Sequence, residues 1–368
     1  MEDRSMKFRK VTIFLAAAAL GVSMLAGCGS SNDAAEEEVT EVVEDTEESA
    51  DAEEEPVVEE EEEALTTSYL TGEAIDEEYA NYRPLALMMP NDNYGAIPHV
   101  GISAAGVIYE APVEGSYTRL MAIFDRAALN NIEKLGPIRS CRLYYPEFAL
   151  EYNAIYAHWG QAAYAEDFLK SGQVDDINGV WDSSPFYRDS DRKSPNNVFT
   201  NGELMTEAFQ KHGFQEEYYQ SYSGHFKFAD SENTLESGQQ ALKVTPGYAV
   251  NKPYFEYNEE DGLYYRYQYG EEHIDAGNDT QLAVKNILIQ AVPVKVLDEK
   301  GYLEIDTTAG GEGYYITDGK AIKVTWSKED LYSRAAYYDE SGNEIEINTG
   351  KTWICVVDKD NLDKVTIE

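Results

Sequence analysis

The chain has 368 residues and a formal net charge of −40, from 69 acidic against 29 basic side chains. That balance argues against a general nucleic-acid binder, whose affinity comes from Lys and Arg neutralising phosphates, unless a local basic patch overrides it. Three cysteines in this length exclude a disulfide-built scaffold, and no cysteine–histidine metal spacing or cofactor fingerprint is present.

In chain order, Arg4, Lys7, Arg9 and Lys10 precede an uncharged apolar stretch that begins at Val11 and ends in Leu25-Ala26-Gly27-Cys28. A basic start, a short apolar core and a small-residue cleavage site are the parts of a secretory signal. The core is shorter than a stable membrane span needs. Leu25-Ala26-Gly27-Cys28 resembles the lipobox of bacterial lipoproteins. The resemblance implies a signal peptide over 1–27, lipid on Cys28, membrane lipid as the partner there, and a body on the extracytoplasmic face of the cell membrane.

From Gly29 to Tyr82 there are 22 acidic residues and no Lys or Arg. Composition predicts a disordered acidic tether over 28–82, extended by its own charge. From Arg83 onward 25 basic residues face 45 acidic ones, a net of −20, so the folded body is acidic in its own right.

The body reads as α+β. Over 83–225, apolar runs at Pro84–Met89, Gly106–Tyr109, Leu120–Phe124 and Ala154–His158 predict buried strands. Helical spacing appears over Tyr144–Tyr152, over Gln161–Lys170 ending at Gly172, and over Glu203–Lys211 between an Asn201 cap and Gly213. That pattern predicts a mixed α/β domain with a central sheet. Over 226–368 the character changes to mainly β. Strands are predicted at Tyr254–Tyr257, Leu263–Tyr269, Lys285–Leu297, Gly313–Thr317, Ala321–Ser327, Ile345–Asn348 and Thr352–Val357, with Asp318-Gly319 as a tight hairpin turn. Cys141 and Cys355 fall in different predicted domains and read equally as a disulfide or as two buried thiols.

Several stretches together resemble one family: Arg83-Pro84-Leu85-Ala86-Leu87-Met88, Val107-Ile108-Tyr109-Glu110, Thr118-Arg119-Leu120-Met121, Gly136-Pro137-Ile138-Arg139-Ser140-Cys141-Arg142, Tyr187 to Asn197, and Gly350-Lys351-Thr352-Trp353-Ile354. In this order they are similar to the YerB-type lipoproteins. The resemblance implies a two-domain extracytoplasmic body and supplies no reaction. The family motif more often has a Gly pair after the histidine, where this chain has His158-Trp159-Gly160.

The chemistry-bearing residues are arginines set in an acidic body. Arg139 and Arg142 are three apart after Gly136-Pro137, ahead of the predicted Tyr144 helix, whose free N–H groups would favour an anion. Arg119 lies in a predicted strand; Arg188 and Arg192 share a polar loop; His158 ends a strand, as donor or proton carrier. Forked guanidinium donors suit phosphate or carboxylate. The same arginines equally suit structural pairs with Glu110, Asp125, Asp189 or Asp191. Among 28 tyrosines, a cluster near the arginines would suit a sugar polymer or a peptide. No nucleophile elbow, P-loop or Ser/His/Asp order emerges, so the residues point to binding ahead of catalysis. The expected function is binding of an anionic cell-envelope ligand in an arginine-lined cleft. The alternatives are an envelope enzyme acting on a phosphate-containing polymer or lipid, and a scaffold for protein partners.

Overall fold

A computed structural model describes residues 65–368; the signal segment, Cys28 and the tether up to residue 64 lie outside the described residues. The apolar runs form the centre of one mixed sheet. Across it the strands run Gln239–Gln240, Lys320–Ser327, Gly311–Thr317, Asn286–Val292, Thr352–Asp358, Val107–Pro112, Thr118–Phe124, Leu85–Pro90, Ile155–His158 and Asp176–Asn178, with Ala336–Tyr338 attached to Lys320–Ser327. The 85–90, 107–112, 155–158, 286–292 and 352–358 strands run the same way, and Thr118–Phe124 runs against its two neighbours.

Consecutive rather than alternate positions are apolar in these strands because both faces of the sheet are covered. Leu85, Leu87, Ile108, Leu120, Ala122, Ile155, Ile287, Trp353 and Cys355 enter one core. Ala86, Met88, Tyr109, Met121, Ile123, Tyr156, Leu288 and Ile354 enter the other. The helix Gly202–His212 covers the first face with Met205, Ala208 and Phe209. It starts where the Asn201 side chain accepts from Leu204 N at 2.8 Å and stops at Gly213, whose φ of 67° is the left-handed cap glycine adopts freely. Beside that helix, a smaller antiparallel sheet built on Lys243–Thr245, Tyr254–Asn258 and Leu263–Gln268 adds Val244, Phe255 and Tyr264 to the first core. The helix Tyr144–Leu150 covers the second face with Tyr144, Tyr145 and Phe148.

The fold class read from the sequence, α+β with a mixed central sheet and a mainly antiparallel C-terminal part, describes this architecture. The Asp318-Gly319 turn has both residues at positive φ, as a tight hairpin requires. Three expectations need correction. Residues 65–82 are not tether: Leu65–Thr67 pairs with Ala74–Asp76, and Leu70 is fully buried in the second core, so apolar Leu70 and Ile75 outweigh the acidic residues around them. Pro293 lacks the N–H that a continuous 285–297 strand would need, so that run divides into Asn286–Val292 and Val294–Val296. Ile345–Asn348 forms one bridge and loop, because its backbone N–H groups are divided between two segments, Ile345 N bonding to Tyr337 O and Ile347 N to Lys227 O.

One buried ion pair ties the C-terminal part into the N-terminal strands. Glu110 stands in the apolar 107–112 strand and Arg266 in the smaller sheet; both are fully buried and they meet at 2.7 Å. Arg266 also lies 4.3 Å over the Trp353 ring. The second carboxylate oxygen of Glu110 accepts from Asn91, Thr118 and Asn251. Removing one partner strands the other charge in the core. Arg266→Met is therefore expected to lower the unfolding free energy by about 3–5 kcal/mol, measured by urea denaturation. The double variant Glu110→Gln/Arg266→Met should recover part of that loss, and equal losses would show that no buried charge had been stranded.

Candidate functional site

The strands Leu85–Pro90 and Val107–Pro112 end at the same edge of the sheet where Thr118–Phe124 begins. A cavity of about 320 Å³ opens there, lined by residues that include Asn91, Asp92, Tyr94, Glu114, Tyr117, Arg119, Arg139 and Asn196. The Ile138–Cys141 segment forms one wall. It is fixed by backbone bonds from Ile138 N to Val198 O, Arg139 N to Met88 O and Cys141 N to Gly160 O, so Arg139 has little freedom in backbone position.

The structure brings three of the predicted arginines together. Arg119 is nearly buried and its Nη1 donates to Ser140 O at 2.5 Å. Burial, with Arg142 and Arg139 nearby, pulls its pKa down to about 10, so it stays a cation at neutral pH. Arg139 is half-buried and has no side-chain hydrogen bond or ion pair among the described residues, and its Nε is shut from solvent without a partner. Burial lowers its pKa, Asp92 opposes that shift, and Arg142 adds to it. Arg142 is neutralised: Glu114 grips its Nε and Nη2 at 2.5 and 2.7 Å. Burial pulls against its charge, but this two-point pair more than offsets that and leaves its pKa raised. Asp92 is engaged by Tyr94 N at 2.9 Å and the Asn196 amide at 3.2 Å. With the Arg142–Glu114 pair cancelling, Arg119 and Arg139 against Asp92 leave the cavity net positive in an acidic body.

The other three predicted residues are placed elsewhere. Arg192 ties down the neighbouring loop by donating to Gly95 O, Ala96 O and, at 2.6 Å, Pro98 O. Arg188 is exposed, lies over the Trp159 ring and donates to Asn197. His158 is fully buried between Gly160 O at 2.8 Å and Asp176 at 3.2 Å. The loop carrying Arg188 and Arg192 still contributes Pro195 and Asn196 to the cavity wall. The Tyr144 helix does not serve as an anion site: it has seven residues, no side-chain cap, and Arg142 turns from it to Glu114. Cys141 is buried, free, and pushed up to about 12 by that burial.

Sequence reasoning missed the polar floor below the cavity. Arg266 Nη1 donates to His273 Nδ1 at 2.6 Å, His273 Nε2 to His99 Nδ1 at 2.9 Å, and His99 Nε2 to Pro90 O at 2.6 Å. This chain of donors requires both rings to be neutral. The strand alternation that buries Tyr264 and Gln268 also buries Arg266, and a lone Glu110 in an apolar strand calls for a buried cation; those were the available signals. Among the described residues no group of three or more potential metal-binding side chains is found, and no helix is long and apolar enough to cross a membrane.

Comparison with known proteins places this architecture in a class. Residues 70–215 match the family described as "Protein of unknown function (DUF3048) N-terminal domain" and residues 243–354 match its C-terminal domain. The chain belongs to this two-domain family. A homologue from Bacillus subtilis (strain 168), named "Putative lipoprotein YerB", is 28% identical over 289 residues, 78% of this chain and 85% of that protein. The crystal structure of the YerB protein from Bacillus subtilis superimposes with a TM-score of 0.72 at 27% identity, covering 82% of this chain and 99% of that one.

The histidine relay has a pH consequence. Burial lowers the pKa of His99 to about 4 and that of His273 well below the usual 6.5. The unfolded chain therefore takes up protons on these rings first, and stability falls as pH drops from about 6.5 towards 4. For His99 alone the loss is on the order of 3 kcal/mol. Urea unfolding at pH 7 and pH 4.5 should show a smaller drop in His99→Gln than in the unaltered chain; equal drops would exclude the relay as the source.

Proposed function

We propose that this protein is a lipoprotein anchored through Cys28 on the extracytoplasmic face of the membrane, and that it binds an anionic, phosphate- or carboxylate-bearing envelope ligand in the cavity at the sheet edge. The observation that carries the binding reading is Arg139, a cation at a cavity wall with no counter-charge bonded to it among the described residues. Arg119 beside it is met only by a carbonyl. Two guanidinium groups held by a rigid backbone present forked donors at little ordering cost, which is the arrangement that favours an oxyanion. The wall is pre-formed and partly dry, so each charge-assisted bond counts for more than it would in water. This reading uses Arg119 and Arg139 directly, with Arg142 in the local field, and gives Arg188, Arg192 and His158 no contact with the ligand. The anchor reading rests on the Leu25-Ala26-Gly27-Cys28 sequence and on the lipoprotein name of the homologue.

Arg139→Ala should leave the melting temperature of the full chain nearly unchanged, because the side chain bonds to nothing, and should weaken inorganic phosphate binding about tenfold, the effect of one charge-assisted contact of about 1.5 kcal/mol. A scanning-calorimetry melt reads the first and calorimetric titration the second, both in detergent micelles. Phosphate that fails to bind, or binds the variant equally well, would overturn the site. Cys28→Ser should abolish incorporation of radiolabelled palmitate and move the chain from the membrane to the soluble fraction; a labelled variant would refute the anchor.

A further inference from the structure

The cavity walls hold more than cations. Asn91 and Asn196 both line it, both are at least nine-tenths buried, and each has a side-chain oxygen shut from solvent without a hydrogen-bond partner. Neither amide can be turned over to cure this. The Asn91 NH2 donates to Glu110 at 3.2 Å and to Thr118 at 2.8 Å. A flip would set its oxygen against the Glu110 carboxylate. The Asn196 NH2 donates to the Asp92 carboxylate at 3.2 Å and to Tyr94 O at 3.3 Å, both of which can only accept. The two Oδ1 atoms are therefore held as acceptors in want of donors. A buried acceptor without a donor is costly, and native proteins tolerate few of them unless a ligand or water completes the bond.

A carboxylate or a dianionic phosphate ester brings acceptors only. It satisfies Arg139 and Arg119 and leaves both amide oxygens unpaired. The ligand that completes this wall carries hydroxyl or N–H donors close to its anionic group. The rim adds a third requirement. Tyr94 is 76% exposed and its ring lies 6.4 Å from that of Tyr117, the two inclined at 60°, so an apolar ring face is presented beside the polar wall. Sugars combine a ring with C–H faces, a dense set of hydroxyl donors and, when phosphorylated or oxidised to a uronic acid, an anion. Resting on the anion-binding reading above, we infer that the ligand is an anionic sugar, a phosphorylated or carboxylated saccharide unit. Its charge meets Arg139 and Arg119, its hydroxyls donate to Asn91 and Asn196, and its ring packs on Tyr94.

Calorimetric titration of the full chain in detergent micelles separates the possibilities. Glucose 1-phosphate and glucuronate are compared with their hydroxyl-free counterparts, ethyl phosphate and acetate, and with neutral glucose. At least one sugar anion should bind ten times more tightly than its counterpart, and which one does so identifies the charged group. In Asn196→Ala the affinity ratio of sugar anion to hydroxyl-free anion should shrink to less than threefold. Tyr94→Ala, at an exposed position, should reduce the same ratio severalfold. Equal affinity within both pairs would overturn the inference and leave the anion site standing. Glucose binding as tightly as glucose 1-phosphate would overturn the anion reading itself, and failure of every probe to bind would remove both.

Discussion

The structure turns on the burial of one opposite-charge pair, Glu110 with Arg266. Two ions taken fully out of water need close hydrogen-bond partners to offset the lost hydration. Here the N-terminal part contributes Asn91 and Thr118, and the C-terminal part contributes Asn251 and the Trp353 face. Neither part can satisfy its own member of the pair alone. The strand Thr352–Asp358 expresses the same dependence in the backbone, because it pairs with Val107–Pro112 on one side and Asn286–Val292 on the other. The two matched family domains thus share a sheet and a core instead of packing as separate bodies.

That constraint reaches the cavity directly. Asn91 and Thr118 bond to Glu110 and also line the cavity, and Pro90, which ends the histidine relay, lies on its wall. The charge pair therefore fixes the direction in which the Asn91 amide points. It does this from the interior, where a flipped amide would face a carboxylate. A wall whose donors and acceptors are set by the core is rigid, and rigid walls select ligands by the pattern of hydrogen bonds they demand.

Much of the fold was legible because its causes are local. Continuous apolar runs marked the doubly covered strands, Asn201 and Gly213 marked a helix, and Asp318-Gly319 marked a hairpin. Residues 65–82 were misread because their acidic composition hides two well-placed apolar anchors, Leu70 and Ile75. The site was legible only in part. Arg119, Arg139 and Arg142 are close in sequence terms, within two adjacent motifs, and the sheet edge gathers them. Arg192 lies in the Tyr187 to Asn197 motif and His158 at a strand end, yet their partners are backbone carbonyls and Asp176, which no spacing rule reveals. Arg266, His273 and His99 come together from opposite ends of the body, and only tertiary pairing joins them.

The sheet also decides what becomes of the two cysteines in the body. Cys141 sits in the core on one face and Cys355 in the core on the other, both buried and free. The sheet itself stands between them, and burial holds the Cys141 thiol in its unreactive protonated form. Once folded, the body is held together without a disulfide among the described residues, and it presents no thiol at its surface for either a reducing or an oxidising environment to act on.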